Sequence, residues 1–434
     1  MPSSADSRSA DRTRLTALDN AIQATTDTQL LASLRSERSS VENRLATYIY
    51  PVQSLPAEII AEIFQQFVPP YPECAPLVGI ESPTTLGQVC SRWRAIAHGT
   101  PSLWQGVHLF DSKDYNRRGR FLRAQPAALE AWLRRSCSLP LSIIMGELGE
   151  SSHEEEREEA VAFLLEHCSR WEYVQLLITD FEGALEGNMP ALRQLDISAP
   201  SFAFGEIVAP RLRTLMLDTH ERDSPEPTLK DLIAALPWSN LQTLVLSGLD
   251  APAAAMILNE TRQLVNCWID IAEEGDWEYV VPATVNLPQT LEALVLLASE
   301  FDWEGGAGPA ADLIAALSGA RDLQRLAIDT FFFGEYGVEL IQRNGWRLQH
   351  LWSGSPALMG VPGATARSLE QAYAAAFPDV SCIEFVATDG VMTPWPKHET
   401  EWSVWGAKSL HITLLNPELP KDFSFSTTSD DSAE

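Results

Sequence analysis

From Trp171 onward, apolar residues recur in short strand-like runs that share the spacing Leu-x-x-Leu-x-Leu, and helix-like segments with short loops separate them. The clearest runs are Leu192/Leu195/Ile197, Leu212/Leu215/Leu217, Leu241/Leu244/Leu246, Leu291/Leu294/Leu296 and Leu323/Leu326/Ile328; looser copies are Trp171/Val174/Leu176, Leu264/Cys267/Ile269, Leu348/Leu351 and Val380/Ile383/Phe385. This pattern predicts an α/β fold in which similar units stack their strands side by side.

A repeated hexapeptide supports this interpretation. Residues 231–236, Asp-Leu-Ile-Ala-Ala-Leu, recur letter for letter at 312–317, each time shortly before a predicted strand. Because the strands follow one another at irregular intervals of 20 to 32 residues, we expect an irregular leucine-rich-repeat solenoid of roughly eight units, with unequal helices and loops. Residues 409–415 are predicted as a last strand, and the acidic, hydroxyl-rich residues 417–434 as a disordered tail.

The N-terminal region has a helical pattern. Residues 1–11 are polar and are expected to form a disordered lead. Residues 12–47 contain no proline or glycine, and their apolar positions are partly heptad-like: Leu15, Leu18, Ile22, Leu30, Leu34, Val41 and Leu45. Since the pattern breaks around residues 25–28, a two-helix hairpin and a short coiled coil both fit.

Two further helix-like segments bracket a long proline-rich turn. The first has Pro56 in its first turn, where a missing N–H costs nothing, and places Ile59 and Ile63 on one face. The turn contains Pro69, Pro70, Pro72, Pro76 and Pro83. A single third helix is predicted over residues 84–98.

Charge and cysteine content narrow the class of protein. The chain has 59 acidic and 31 basic residues and a formal net charge of -28, which disfavours nucleic acid and anionic membranes as partners. Its six cysteines form no Cys-x-x-Cys pair, as expected in a reducing compartment. The first 14 residues lack the apolar run of a signal peptide, and no apolar stretch reaches the usual membrane-spanning length of about 18 residues. We therefore expect a cytoplasmic or nuclear protein.

The chain also lacks the familiar motifs of catalysis and cofactor binding. It has no phosphate-binding Gly-x-x-x-x-Gly-Lys-[Ser/Thr] loop and no Gly-x-Ser-x-Gly elbow. Its eight histidines occur neither as His-Glu-x-x-His nor at zinc-ligand spacing from the cysteines. We therefore expect a binding protein without cofactor, metal or enzymatic activity.

Four short motifs carry a resemblance to a known family: Leu55-Pro56-x-Glu58-Ile59, Ile63-Phe64, Val89-Cys90-x-Arg92-Trp93-Arg94-x-Ile96-Ala97 and Leu103-Trp104. Their order is similar to the F-box. The upstream helix, the proline-rich spacer and the repeats that follow resemble the large fungal, basidiomycete-type subfamily of F-box proteins. The expected segments are an N-terminal helical region over residues 12–50, the F-box over 51–108 and the solenoid over 109–416.

The resemblance implies a binding surface for a Skp-type adaptor, which in turn holds a cullin. The residues expected to contact the adaptor are Leu55, Pro56, Ile59, Ile63, Phe64, Leu86, Val89, Cys90 and Trp93. The loop over residues 68–83 is longer than the short turn of the general F-box pattern. The chain would then be a substrate-recognition subunit of an SCF-type ubiquitin ligase; the alternative is a scaffold or protein-binding module that delivers nothing for degradation.

The repeats would supply the target-binding surface. Side chains alternate along a strand, so the residue between the last two leucines of each run faces away from the leucines. The apolar residues at this position are predicted to form an exposed substrate face: Met216, Val245, Trp268, Val295 and Trp352. Coverage of these positions by the protein's own loops is the alternative.

Overall fold

The computed structural model describes residues 4–46, 55–110, 119–146, 154–177, 184–198, 203–218, 229–271, 280–297, 308–328, 330–355, 371, 374–378, 380 and 382–387. The predicted strand at 409–415 and the predicted acidic tail at 417–434 lie outside this set. The chain divides into two compact units, residues 1–63 and 64–434.

The first unit begins with a helical hairpin rather than a coiled-coil rod. Helices α1 (Ser4–Ala24) and α2 (Thr28–Ala46) pack on each other. Asp27 caps the N-terminus of α2. Its carboxylate accepts hydrogen bonds from the backbone amides of Gln29 and Leu30. The prediction of a disordered lead is wrong from Ser4 onward, because this polar stretch contains no helix-breaking proline or glycine and extends α1.

Ion pairs join the two helices of the hairpin on its surface. The pairs are Arg14–Glu37, Asp19–Arg38 and Asp11–Arg44, with N···O distances of 2.7 Å in each. Leu18 and Val41 are buried. Because exposed ion pairs contribute little to stability, burial of the apolar side chains is the larger stabilising contribution.

The proline-rich turn separates short helices. Helix α3 (Ala57–Gln65) precedes it, and α4 (Pro83–Val89), α5 (Ser91–His98) and a 3-10 helix at Pro101–Trp104 follow. The predicted single helix over 84–98 is therefore two helices. They separate at Cys90, whose backbone is extended (φ −162°, ψ 168°) and whose Sγ caps α5 by accepting a hydrogen bond from the Trp93 amide at 3.4 Å.

Parallel strands dominate the second unit. In chain order they are β1 (Ala75–Pro76), β2 (Gly106–Leu109), β3 (Leu141–Met145), β4 (Trp171–Leu177), β5 (Ala184–Asn188), β6 (Gln194–Ser198), β7 (Ala203–Val208), β8 (Thr214–Asp218), β9 (Thr243–Leu249), β10 (Asn266–Ile271), β11 (Val285–Leu287), β12 (Ala293–Leu297), β13 (Leu317–Gly319), β14 (Arg325–Ile328), β15 (His350–Ser355) and β16 (Cys382–Ala387). β5 pairs with β7 and β11 with β13, and the other twelve described strands form one sheet. Its strands lie side by side in chain order, so the sheet grows in one direction along the sequence.

Helices connect many of these strands. After α5 they are α6 (Gly119–Arg123), α7 (Gln125–Arg135), α8 (Glu154–Leu165), α9 (Leu229–Ala235), α10 (Ala251–Glu260), α11 (Gly308–Ala316) and α12 (Thr330–Asn344). The two copies of the repeated hexapeptide fall in α9 and α11, each extending into the residues that follow the helix. α10 packs on α11 and α11 on α12. Mixed helix and parallel sheet confirm the predicted α/β class.

The predicted substrate face coincides with one row of the sheet, and that row is buried. In register across the strands lie Gln175, Asp196, Met216, Val245, Trp268, Val295, Ala327 and Trp352. The exposed fractions are 0% for Met216, 1% for Val245, 5% for Trp268 and 0% for Val295. The expectation that these four side chains form an exposed stripe is therefore wrong. Trp352 belongs to the row by backbone register, and its side chain lies outside the described set.

The row is buried because both faces of the sheet are covered. Four consecutive residues of β8 and the first five of β9 are buried, so both sides of these strands are protected from solvent. Parallel sheets usually have both faces covered, and their strands then contain nearly continuous apolar runs such as Leu244-Val245-Leu246. The Leu-x-Leu ending of each run predicts burial on one face only, and the structure shows burial on both.

Replacing Met216 with alanine tests this burial. We expect the free energy of unfolding to fall by about 2 to 5 kcal/mol, because the change removes a buried side chain and leaves a cavity. Val280→Ala is the control, since Val280 is 86% exposed. Denaturant titration measures both variants. Equal stability of the two variants would show that the row is accessible.

Candidate functional site

Helix α3 presents an apolar face to solvent. Ile59 and Ile63 are one helical turn apart, and their exposed fractions are 49% and 48%. Ile60 points elsewhere and is fully buried. Pro56, at the start of the helix, is exposed, and its carbonyl accepts a hydrogen bond from the Ile60 amide at 3.2 Å. A pair of large aliphatic side chains on one exposed helix face is suited to contact with a protein partner.

Helices α4 and α5 divide their apolar residues between surface and core. Val89, at the end of α4, is 58% exposed, whereas Leu86 is 4% exposed. Trp93 of α5 is partly exposed, and its ring meets the edge of the Phe64 ring at a centroid distance of 5.0 Å. Phe64 itself is buried.

The nine residues expected to contact an adaptor therefore fall into three groups. Those on the surface are Pro56, Ile59, Ile63 and Val89; those partly exposed are Leu55, Cys90 and Trp93; those buried are Phe64 and Leu86. Phe64 and Leu86 are therefore not available to a partner in this structure. The sequence pattern could not separate these groups, because the exposed and the buried members are equally apolar.

Specific side-chain contacts fix α5. The Arg94 guanidinium donates from Nε to the Gly87 carbonyl of α4 at 2.8 Å. The indole of Trp104 donates to the Ala97 carbonyl at the end of α5, also at 2.8 Å. Trp104 is fully buried, and its ring meets Trp132 of α7 edge to face at 4.8 Å. These contacts connect α4, α5 and the 3-10 helix to one another and to α7.

The long proline-rich loop becomes part of the sheet. Its strand β1 pairs in parallel with β2, with Ala75 opposite Val107. The Tyr71 hydroxyl donates to Oε2 of Glu172 at 2.7 Å. Glycine is required at position 106, because a Cβ there would overlap the Glu73 carbonyl. Sequence analysis missed this role, since a two-residue strand that contains proline has no recognisable pattern.

A buried polar cluster lies at the β4–β6 end of the central row. Gln175, Gln194 and Asp196 are at most 1% exposed. Polar atoms of all three lack a hydrogen-bond partner of good geometry: Gln175 Oε1, both amide atoms of Gln194 and both carboxyl oxygens of Asp196. Burial raises the pKa of the Asp196 carboxyl well above its ordinary value, Asp218 raises that pKa further, and Gln175 opposes the rise in part. The Asp196 carboxyl is therefore neutral in the folded protein over part of the pH range in which it would otherwise be charged.

A pocket of about 500 Å³ beside α7 and α8 is lined in part by Cys137, His167 and Arg170. Arg170 donates from Nε to the Leu139 carbonyl at 3.0 Å and from Nη1 to the Leu133 carbonyl at 3.3 Å, so its guanidinium is occupied by the backbone.

Across the described ranges, no three His, Cys, Asp or Glu side chains group as metal ligands. In that same part of the chain, no helix is both long and apolar enough to span a bilayer.

Comparison with protein families identifies the module that contains α3, α4 and α5. Residues 52–109 match the F-box-like family. A comparison with curated proteins gives no match. The chain therefore contains an F-box-like domain, a protein-interaction module, and domains of this kind generally bind Skp-type adaptors. The match includes every residue of the predicted adaptor surface.

Replacing Asp196 with asparagine tests the buried polar cluster. Since the pKa of Asp196 is raised in the folded state, the folded protein holds a proton that the unfolded chain releases above pH about 4. The stability that this bound proton contributes is fully present below that pH. It is lost as the pH rises through the pKa of Asp196 in the folded protein. The asparagine side chain cannot ionise, so we expect the variant to match the wild type near pH 4 and to be more stable than the wild type near pH 8.

Chemical denaturation at both pH values measures this difference. Asp322→Asn, at an exposed position, controls for the loss of one negative charge. A stability difference between wild type and Asp196→Asn that does not change with pH would contradict the burial of a neutral carboxyl.

Proposed function

We propose that this protein is a substrate-recognition subunit of an SCF-type cullin-RING ubiquitin ligase, an F-box protein of the fungal, basidiomycete-type subfamily. The observation that carries the proposal is the exposed Ile59–Ile63 face of α3 inside the F-box-like domain. The adaptor would cover this face and connect the chain to a cullin.

The physical basis is burial of aliphatic side chains. Full burial of an isoleucine side chain contributes about 1.5 to 3 kcal/mol, and Ile59 and Ile63 each still expose about half of their surface. A few well-packed, fully desolvated side chains supply most of the binding energy in typical interfaces. Glu58 and Glu62 are exposed on the same helix and would form a polar margin around this centre.

The parallel sheet supports a second part of the proposal. In this part, the array of strands and helices that follows the F-box-like domain in the chain binds the target protein. Strands that follow one another in chain order, with the Leu-x-x-Leu-x-Leu pattern, are typical of a leucine-rich-repeat solenoid. Solenoids offer extended surfaces for protein partners. Because Met216, Val245, Trp268 and Val295 are buried, we propose that the target contacts other positions of the array; Trp352 stays a candidate.

The double variant Ile59→Ser/Ile63→Ser tests adaptor binding. We expect affinity for purified Skp-type adaptor to fall roughly thirtyfold or more, the equivalent of about 2 kcal/mol, because both side chains lose their apolar contacts. Leu30→Ser is the matched control, since Leu30 on α2 is 49% exposed, the same as Ile59. Calorimetric titration of the full chain measures all three proteins. Equal affinity of the double variant and the control would refute the adaptor surface.

Protein turnover distinguishes delivery for degradation from scaffolding. In cells, proteins cross-linked to the wild-type chain should have longer half-lives when the Ile59→Ser/Ile63→Ser variant replaces it, because the ligase can no longer reach them. Pulse-chase measurement of these half-lives is the test. A pure scaffold predicts unchanged half-lives together with unchanged cross-linking.

A further inference from the structure

The loop before α4 has an apex, residues 77–82, that side-chain hydrogen bonds hold in place. The buried Ser82 hydroxyl donates to the Leu77 carbonyl at 2.8 Å, and the Thr84 hydroxyl donates to the same carbonyl at 3.1 Å. The Ser82 amide donates to the Gly79 carbonyl at 3.3 Å. Leu77 and Ser82 are both buried, so the two ends of the apex are anchored.

One apolar side chain stands at this apex. Ile80 is 83% exposed, far more than a typical isoleucine. The preceding residue, Gly79, has a φ of +116°, a backbone conformation that side-chain-bearing residues rarely adopt. The sequence Gly-Ile therefore belongs to a tight turn with defined geometry, and that turn keeps an isoleucine in solvent. An exposed aliphatic residue on a fixed turn loses little conformational freedom when a partner covers it.

A hydrogen bond connects the apex to α4. The Thr85 hydroxyl donates to the Gly79 carbonyl, which places the residue before Ile80 against the first turn of the helix. Val89 lies four residues after Thr85 and therefore on the same helix face. Val89 is 58% exposed. Two exposed aliphatic residues, Ile80 and Val89, thus flank the same contact between apex and helix.

We infer that Ile80, on the long loop of this F-box-like domain, adds to the predicted contact of Val89 with the Skp-type adaptor. The inference rests on the proposed function. The adaptor is the favoured occupant because both residues lie within the matched residues 52–109, and Val89 continues the α4–α5 surface that includes the partly exposed Trp93.

The test measures affinity of the full-length protein for purified adaptor by calorimetric titration. Ile80→Ser should weaken binding about tenfold, and Val280→Ser, at a position 86% exposed outside the family match, should leave affinity unchanged. Thr85→Val removes the hydroxyl that holds Gly79 while keeping the side-chain shape; it should weaken binding a few-fold, because the apex is less well fixed. Thermal unfolding of each variant confirms that the fold is intact.

The outcomes separate the inference from the proposal on which it rests. Failure of the wild-type chain to bind the adaptor would overturn the proposed function and the inference together. Adaptor binding by the wild type, with Ile80→Ser equal to Val280→Ser, would overturn the inference alone. A defect of Ile80→Ser confined to target capture or self-association would also overturn it, since it would assign the apex to another occupant.

Discussion

Parallel strand pairing in chain order is the interaction on which the second unit of this protein depends. Each strand of the twelve-stranded sheet hydrogen-bonds to its neighbours, and the Leu-x-x-Leu-x-Leu residues align across the strands, as Leu215, Leu244 and Cys267 do in β8, β9 and β10. Every added strand buries apolar surface of the previous one, so stability accumulates along the chain. Among the described strands, β1 and β16 lie at the two ends of the sheet and have one described neighbour each.

At its N-terminal edge the sheet is completed by the F-box-like domain itself. The proline-rich loop supplies β1, and Pro76 within it cannot donate a hydrogen bond to a further strand. Tyr71 is hydrogen-bonded to Glu172 on β4, and burial together with this carboxylate raises the pKa of the Tyr71 hydroxyl. Together with the packing of Trp104 on Trp132 of α7, these contacts connect the loop and the helices that follow it to the rest of the second unit. A partner bound to α4 and α5 would therefore contact helices that are connected to the parallel sheet.

Much of this architecture could be predicted from the sequence, because strand burial leaves a periodic pattern. The nine runs predicted from leucine spacing all coincide with strands of the main sheet, including the loose ones at Trp171 and Val380. β1, β2 and β3 were missed, since they are short or lack the leucine spacing. The break at Cys90 depends on a single extended residue and a thiol cap, which helical periodicity cannot reveal. Burial of Met216 and Val245 was misjudged because the second covered face comes from tertiary packing.

The central claim is that the helices of the F-box-like domain, and not the sheet, bind the adaptor. Amide hydrogen exchange of the full chain, measured with and without purified Skp-type adaptor, tests this claim most directly. The account predicts slower exchange in α3 and across residues 79–93 when the adaptor is present, and no change in β8, β9 and β10. Protection of those strands, with unchanged exchange in α3, α4 and α5, would contradict it.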